Sequence, residues 1–199
     1  MVVEASWARI EAWLRQHAPE GLAELRPPAS NRHINSLEDT TGLRLPTEME
    51  RSYKVHDGSW GLWMFPYGGG TLATIQAIEG EWLRWREVAA EGWFEDRESE
   101  PEGPIKPVHW NRRWLPVTDA GSGNHFCVDL DPAPGGTVGQ IIEFDHEVGP
   151  VRVVASGFGE WLARYASALE SGRYAYHPTD GIIDTQEAEP GAAADGGGM

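Results

Sequence analysis

The stretch WLPVTDAGSGNHFCVDLDP, residues 114–132, decides the fold. Apolar and β-favouring runs at 114–118 and 124–130 flank the pentapeptide DAGSG (119–123). Asp, Gly and Ser are residues that turn a chain sharply, so the stretch reads as strand, tight connection, strand. The pattern continues downstream. DPAPGGTVG (131–139) is again turn chemistry, and it leads into strand candidates at 140–145 and 151–155. A further candidate lies upstream at 105–110. Consecutive strands joined by short turns pair antiparallel.

Outward from this meander the period changes from two to 3.6. Trp7, Ile10, Trp13, Leu14 and His17 predict an amphipathic helix over about 5–17. Ser30 is placed to cap a short helix burying Ile34 and Leu37, closed by Gly42. Leu45-Pro46 opens another helix, with Glu48 and Glu50 in its first turn, where the helix dipole favours acids. It ends at His56-Asp57-Gly58. WGLWMF (60–65) reads as a strand, and Thr74 caps a longer helix carrying Ile75, Ile78, Trp82 and Trp85 or Val88. A last helix over 158–171 uses Phe158, Trp161, Leu162, Tyr165 and Leu169. The class is α+β: one domain, a largely antiparallel sheet and flanking helices.

The length of 199 residues suits one such domain, set at 1–177, with an acidic loop insertion at 91–104. The remainder, 178–199, is Gly, Ala, Pro and acid, and reads as a disordered tail. The formal charge is −15, which argues against nucleic acid and against an anionic membrane surface. Residues 114–151 carry six acids and neither Lys nor Arg. One cysteine, Cys127, excludes an internal disulfide and points to a reducing compartment, the cytoplasm. The acidic, amphipathic N-terminus lacks the basic region of a signal peptide, and no apolar run is long enough to span a bilayer.

Few residues suggest chemistry. Cys127 lies in a strand, where a lone thiol is ordinarily a small core residue. Ser122 has no G-x-S-x-G context. Asp129-Leu130-Asp131 and Asp145-His146-Glu147 resemble metal ligands, but neither continues into a calcium loop, and no H-E-x-x-H occurs. Gly68-Gly69-Gly70 lacks the rest of a phosphate-binding motif. No metal or cofactor is expected. A small hydrolase built on Asp119, His125 and Asp129 is the remote catalytic alternative. The ten tryptophans stand out. Trp7, Trp13, Trp114 and Trp161 fall on core-facing positions. The pairs Trp60 with Trp63 and Trp82 with Trp85 occupy both faces of their elements, so some indoles reach the surface, as at a binding face.

Several blocks resemble the SUKH superfamily, whose founding members are fungal regulators of cell-wall glucan synthesis and killer-toxin resistance. LPTEMERSYKVHDG (45–58) is similar to its leucine-proline opening, helix and closing Asp-Gly. WLPVTDAGSGNHFCVDLDP is similar to its strand, Asp-x-x-Gly-type turn and strand ending in Asp. GGTVGQIIEFDHE (135–147), SGFGEWLARYASALESGRY (156–174) and TLATIQAIEGEW (71–82) continue the likeness. The acidic loop and the tail have no counterpart.

This resemblance implies a non-enzymatic protein-binding domain. The family positions are Asp57-Gly58, Trp114, Pro116, Asp119, Gly123, Asn124 and Asp129. Bacterial relatives act as immunity proteins against toxins, and the fungal ones as interaction hubs in cell-wall signalling. The first expectation is an immunity-type protein that neutralises a nuclease-like toxin through an acidic surface. On that surface Trp93 and Phe94 act as anchors, and Asp145 and Glu147 add charge. The alternative is a regulatory or scaffolding protein of cell-wall or envelope processes. The partner is a protein, neither nucleic acid nor membrane; the oligomeric state stays open.

Overall fold

A computed structural model describes residues 2–67, 69–94 and 97–186. The chain opens with four helices: α1 (Val2–His17), α2 (Pro19–Ala23), α3 (Asn31–Thr41) and α4 (Thr47–Tyr53). Strands β1 (Trp63–Phe65) and β2 (Gly70–Leu72) precede α5 (Ile75–Ala90). The meander comprises β3 (Trp114–Pro116), β4 (Thr118–Asp119), β5 (His125–Asp129), β6 (Gln140–Asp145) and β7 (Gly149–Ala155). It is followed by α6 (Phe158–Glu170) and a hairpin of β8 (Tyr174–His177) and β9 (Gly181–Asp184). This is the α+β class the sequence predicts.

All named strand pairs are antiparallel. The larger sheet has the order β3-β5-β6-β7, and a smaller one has the order β1-β2-β4. The chain passes between them at Val117. Pro116 lies opposite Cys127 on β5, whereas Thr118 lies opposite Leu72 on β2. Pro116, which lacks an N–H, sits on the edge strand of the larger sheet, where no donor is needed.

Every residue of β5 is buried, because both faces of the sheet are covered. Alternation then sends Phe126 and Val128 into the main core, with α1, α4 and α6, and Cys127 into a second cluster with Trp85, Trp114 and Phe144. Helix α5 straddles the two clusters, so Trp82 enters one and Trp85 the other. That arrangement hides both indoles of this pair.

Capping follows the residues. Ser30 accepts from the His33 N–H, Thr74 from the Ala77 N–H, and Gly42 closes α3 at φ 69°. Asp57, 5% exposed, accepts from the Ile75 N–H at 2.8 Å and so caps α5 from outside that helix. A Cβ on Gly58 would lie 2.7 Å from the Leu72 carbonyl oxygen, at φ +80°, so only glycine fits this crossing.

Three expectations need correction. Residues 105–110 form no strand; Val108 makes only an isolated bridge to Glu98. Pro104 and Pro107 supply no ladder donors there, although Ile105 still reaches the second cluster. The tail does not begin at 178: β8–β9 places Ile182 in the main core and buries Asp184. Residues 187–199 of the expected tail lie outside the described residues. Finally, the acidic loop is not wholly solvated. Glu102 donates its N–H to the Val151 carbonyl at 2.7 Å and accepts from Val153, which docks this segment on the edge of β7.

Candidate protein-binding surface

Two turns meet at one end of the larger sheet, and Asn124 ties them together. Its amide donates to Asp145 Oδ2 at 2.8 Å, and its Oδ1 accepts from the His146 N–H at 3.0 Å. Asp145 Oδ1 in turn accepts from the N–H groups of Glu147 and Val148. Burial alone would raise the Asp145 pKa, but these donors outweigh it and hold the carboxyl below its ordinary value. Asp119 Oδ1 accepts from the Gly121 N–H at 2.8 Å, which fixes the DAGSG turn.

Beneath these turns lies a polar cleft of about 350 Å³, walled by α5 and the β4–β5 connection. Glu81 is its anionic centre. Its Oε1 meets His125 Nε2 at 3.0 Å, and Arg84 grips both carboxylate oxygens. Burial works against the ionised form, yet the hydrogen bonds and charges of His125 and Arg84 prevail and lower the Glu81 pKa to about 2. The other nitrogen of His125 contacts the Thr118 carbonyl oxygen at 2.6 Å. Trp85 lines the same cleft, and its buried Nε1 makes no hydrogen bond among the described residues. Sequence reasoning passed over Glu81, Arg84 and His125 as a group, since they join α5 to β5 across 44 residues.

The predicted site residues separate into two sets. Asp119 and Glu147 are exposed, and Asn124 and Asp145 are half-buried, all at the turn end. Asp57, Trp114 and Asp129 are buried and cannot touch a partner. Asp129 accepts from Trp114 Nε1 at 3.0 Å, from Gln140 at 2.9 Å and from the Asp131 N–H at 2.8 Å. Burial nevertheless raises its pKa. Asp57 and Asp129 are therefore corrected from surface to framework, while Trp114 lies in the core as its strand position predicts. The residues of the hydrolase alternative are divided as well: Asp119 and His125 line the cleft, whereas Asp129 is fully buried in the sheet. Among the described residues no hydrogen bond or ion pair joins Asp119, His125 and Asp129, and no three acidic, His or Cys side chains converge as a metal site.

The anchor expectation divides in the same way. Trp93 is 62% exposed, but Phe94 stacks on the His109 ring at 4.5 Å and packs on the second cluster. Larger aromatic exposure occurs at WGLWMF. Trp60 is 65% and Trp63 48% exposed, and the Arg26 guanidinium lies 3.7 Å from the Trp60 ring centroid. Their spacing signalled that one or more would surface; only the fold shows that both do. Nearby, a 280 Å³ recess runs between Leu62, Trp63, Tyr176 and Pro178.

The acids of the base-free stretch do not stand alone in space. Lys106 reaches Asp131 at 2.6 Å, and Arg152 reaches Glu143 at 2.8 Å. Bases from outside the stretch thus neutralise part of the field that the local count predicts. No helix among the described residues is long and apolar enough to cross a membrane.

Comparison with known proteins matches the SMI1 / KNR4 family (SUKH-1) over residues 28–164. The chain is 26% identical over 205 residues to the cell wall assembly regulator SMI1 of Saccharomyces cerevisiae, covering 85% of this chain and 41% of that protein. It is 31% identical over 196 residues to the cell wall biosynthesis/cell cycle regulator smi1 of Schizosaccharomyces pombe, covering 91% and 39%. The glucan synthesis regulatory protein of Neurospora crassa is 26% identical over 208 residues, covering 86% and 39%. The chain thus spans about two fifths of the length of these curated relatives. With the family pattern lying across residues 28–164, more than half of its length, the chain belongs to the SMI1/KNR4 (SUKH-1) family.

Proposed function

We propose that this chain is a regulatory protein-binding module without chemistry of its own, serving cell-wall or envelope assembly. The names of the fungal relatives, regulators of cell wall assembly and of glucan synthesis, support the regulatory part. One observation carries the binding part: two indoles three residues apart, Trp60 and Trp63, stand 65% and 48% exposed on one short segment. Large aromatic side chains left in water are the usual anchors of a protein interface. Affinity capture with the full chain and with a Trp60→Ser/Trp63→Ser variant, read by cross-linking mass spectrometry, tests this. The double variant is expected to lose the cross-linked partner at least about tenfold. Equal capture by both would remove the surface from consideration.

A toxin-neutralising role is the second reading. Asp119 and Glu147, exposed on the two turns that Asn124 clamps, support it as a compact acidic end. The pairing of Asp131 with Lys106 and of Glu143 with Arg152 weighs against it. Capture that collapses between low and high salt, and fails in Asp119→Asn/Glu147→Gln, would favour this reading. Salt-insensitive capture would leave the regulatory one.

A further inference from the structure

A cavity of about 370 Å³ lies between α6, β7 and the segment after β1. Its floor is aromatic. Phe65 stacks on Trp161 with ring centroids 4.4 Å apart, and Phe126 and Tyr165 complete the base. Its rim is cationic. Arg152, Arg164 and Arg173 line it, and no Asp or Glu does so among the described residues. In a chain with 31 acids and 16 Lys and Arg, that is the reverse of the average surface.

Each arginine is paired with an acid: Arg152 with Glu143, Arg164 with Glu160 and Arg173 with Asp184; Arg164 also donates to the Val154 carbonyl and Arg173 to the Tyr67 hydroxyl. A guanidinium carries five N–H donors, and these ion pairs use only part of them. The pairs orient the arginines, which remain half-exposed, with side-chain exposures of 53%, 63% and 50%. A second observation points inward. Tyr165 is 4% exposed, lines the cavity, and its hydroxyl makes no hydrogen bond among the described residues. A buried donor without an acceptor is costly, and a ligand oxygen would relieve it.

We infer that this cavity receives an acidic peptide segment of a partner protein, with an apolar side chain on the aromatic floor and its neighbouring carboxylates on the arginine rim. The inference rests on the protein-binding reading above and names the partner chemistry of a separate surface. Apolar burial supplies affinity. The guanidinium–carboxylate contacts supply register and exclude basic segments.

The test is fluorescence anisotropy of the full chain with a fluorescein-labelled octapeptide alternating Glu and Phe. Lys–Phe and Glu–Ser octapeptides are the controls. The Glu–Phe peptide is expected to bind at least about tenfold more tightly than either control. Arg152→Ala/Arg164→Ala should weaken it about tenfold, and Tyr165→Phe should weaken it several-fold. All variants should keep the wild-type far-ultraviolet circular dichroism and a cooperative urea transition, and Arg164→Glu gives a second, charge-reversed probe of the rim. Equal binding of the Lys–Phe peptide, absence of Glu–Phe binding, or indifference to every rim and floor variant would overturn the inference. Trp60→Ser/Trp63→Ser should leave this binding intact. If that variant loses its captured partner while the rim variants change nothing, the cavity assignment fails and the protein-binding reading stands.

Discussion

The indole of Trp114 donates to the carboxylate of Asp129 at 3.0 Å, with both residues fully buried and directly opposite in the β3–β5 pair. The same carboxylate receives Gln140 from β6 and the backbone of Asp131. One acid thus ties three neighbouring strand segments by donors alone. Tryptophan at the start of one strand and aspartate at the end of the next are, in this chain, two halves of one framework contact.

Removing that acceptor strands three donors in the core. Asp129→Ala is expected to lower stability by about 2–4 kcal/mol in urea titrations, while Asp129→Asn, which keeps an amide oxygen, should cost less. An unchanged urea midpoint for Asp129→Ala would contradict the framework role.

The Glu81 carboxyl sets an acid limit. Its pKa is lowered from 4.5 to about 2 in the folded chain, so the folded state holds this proton less tightly than the unfolded state. Its stabilisation is therefore fully present above pH 4.5 and fades as the pH falls from 4.5 towards 2; it amounts to at most about 3 kcal/mol. Asp131, Asp145 and Asp184 shift in the same direction. Glu81→Gln should thus reduce, without abolishing, the loss of stability across this window. Parallel wild-type and variant curves would show that Glu81 carries no such linkage.

Asn124→Ala releases the clamp between the two turns but leaves the strands paired. The expected cost is about 1–2 kcal/mol. Amide hydrogen exchange should quicken at Gly121 and at 146–148 while β5 and β6 stay protected. Exchange rising evenly over the whole sheet would mean that the clamp supports the sheet and not the turns alone.

Tyr165→Phe deletes a hydroxyl that has no internal partner and keeps the ring packed. Stability is expected to rise by about 1 kcal/mol, because the desolvation cost disappears. A fall in melting temperature would show that the hydroxyl is hydrogen-bonded in solution.

Capping of α5 from a distance gives a further check. Asp57→Ala should cost about 1–2 kcal/mol, as for other lost helix caps. Asp57→Asn, whose amide oxygen still accepts from the Ile75 N–H, should recover most of it. Equal losses in both variants would place the effect elsewhere than the cap.

Much of the framework was legible from local pattern. Ser30, Thr74 and Gly42 marked helix ends because capping depends on residues within one turn. The hairpin nature of 114–130 followed from turn chemistry between β-favouring runs. Short elements escaped. β2, β4 and the β8–β9 hairpin hold two to four residues each, too few to display a period. Residues 105–110 misled in the opposite direction, since apolar side chains there pack without a ladder. The site was less legible still. Trp93 and Glu147 lie exposed, but Asp57 and Asp129 carry charge and are nonetheless buried, as their partners lie far along the chain.

By itself the amino-acid order determined the fold class, the principal helices, the meander and the family likeness, because periodicity and turn residues act over a few neighbouring positions. The tertiary structure alone decided which charges face water, which indoles are hidden, and that three arginines from β7, α6 and the start of the last hairpin ring one aromatic cavity. Those outcomes depend on distances between segments brought together by burial of the common core, and such distances are not written in the spacing of residues along the chain.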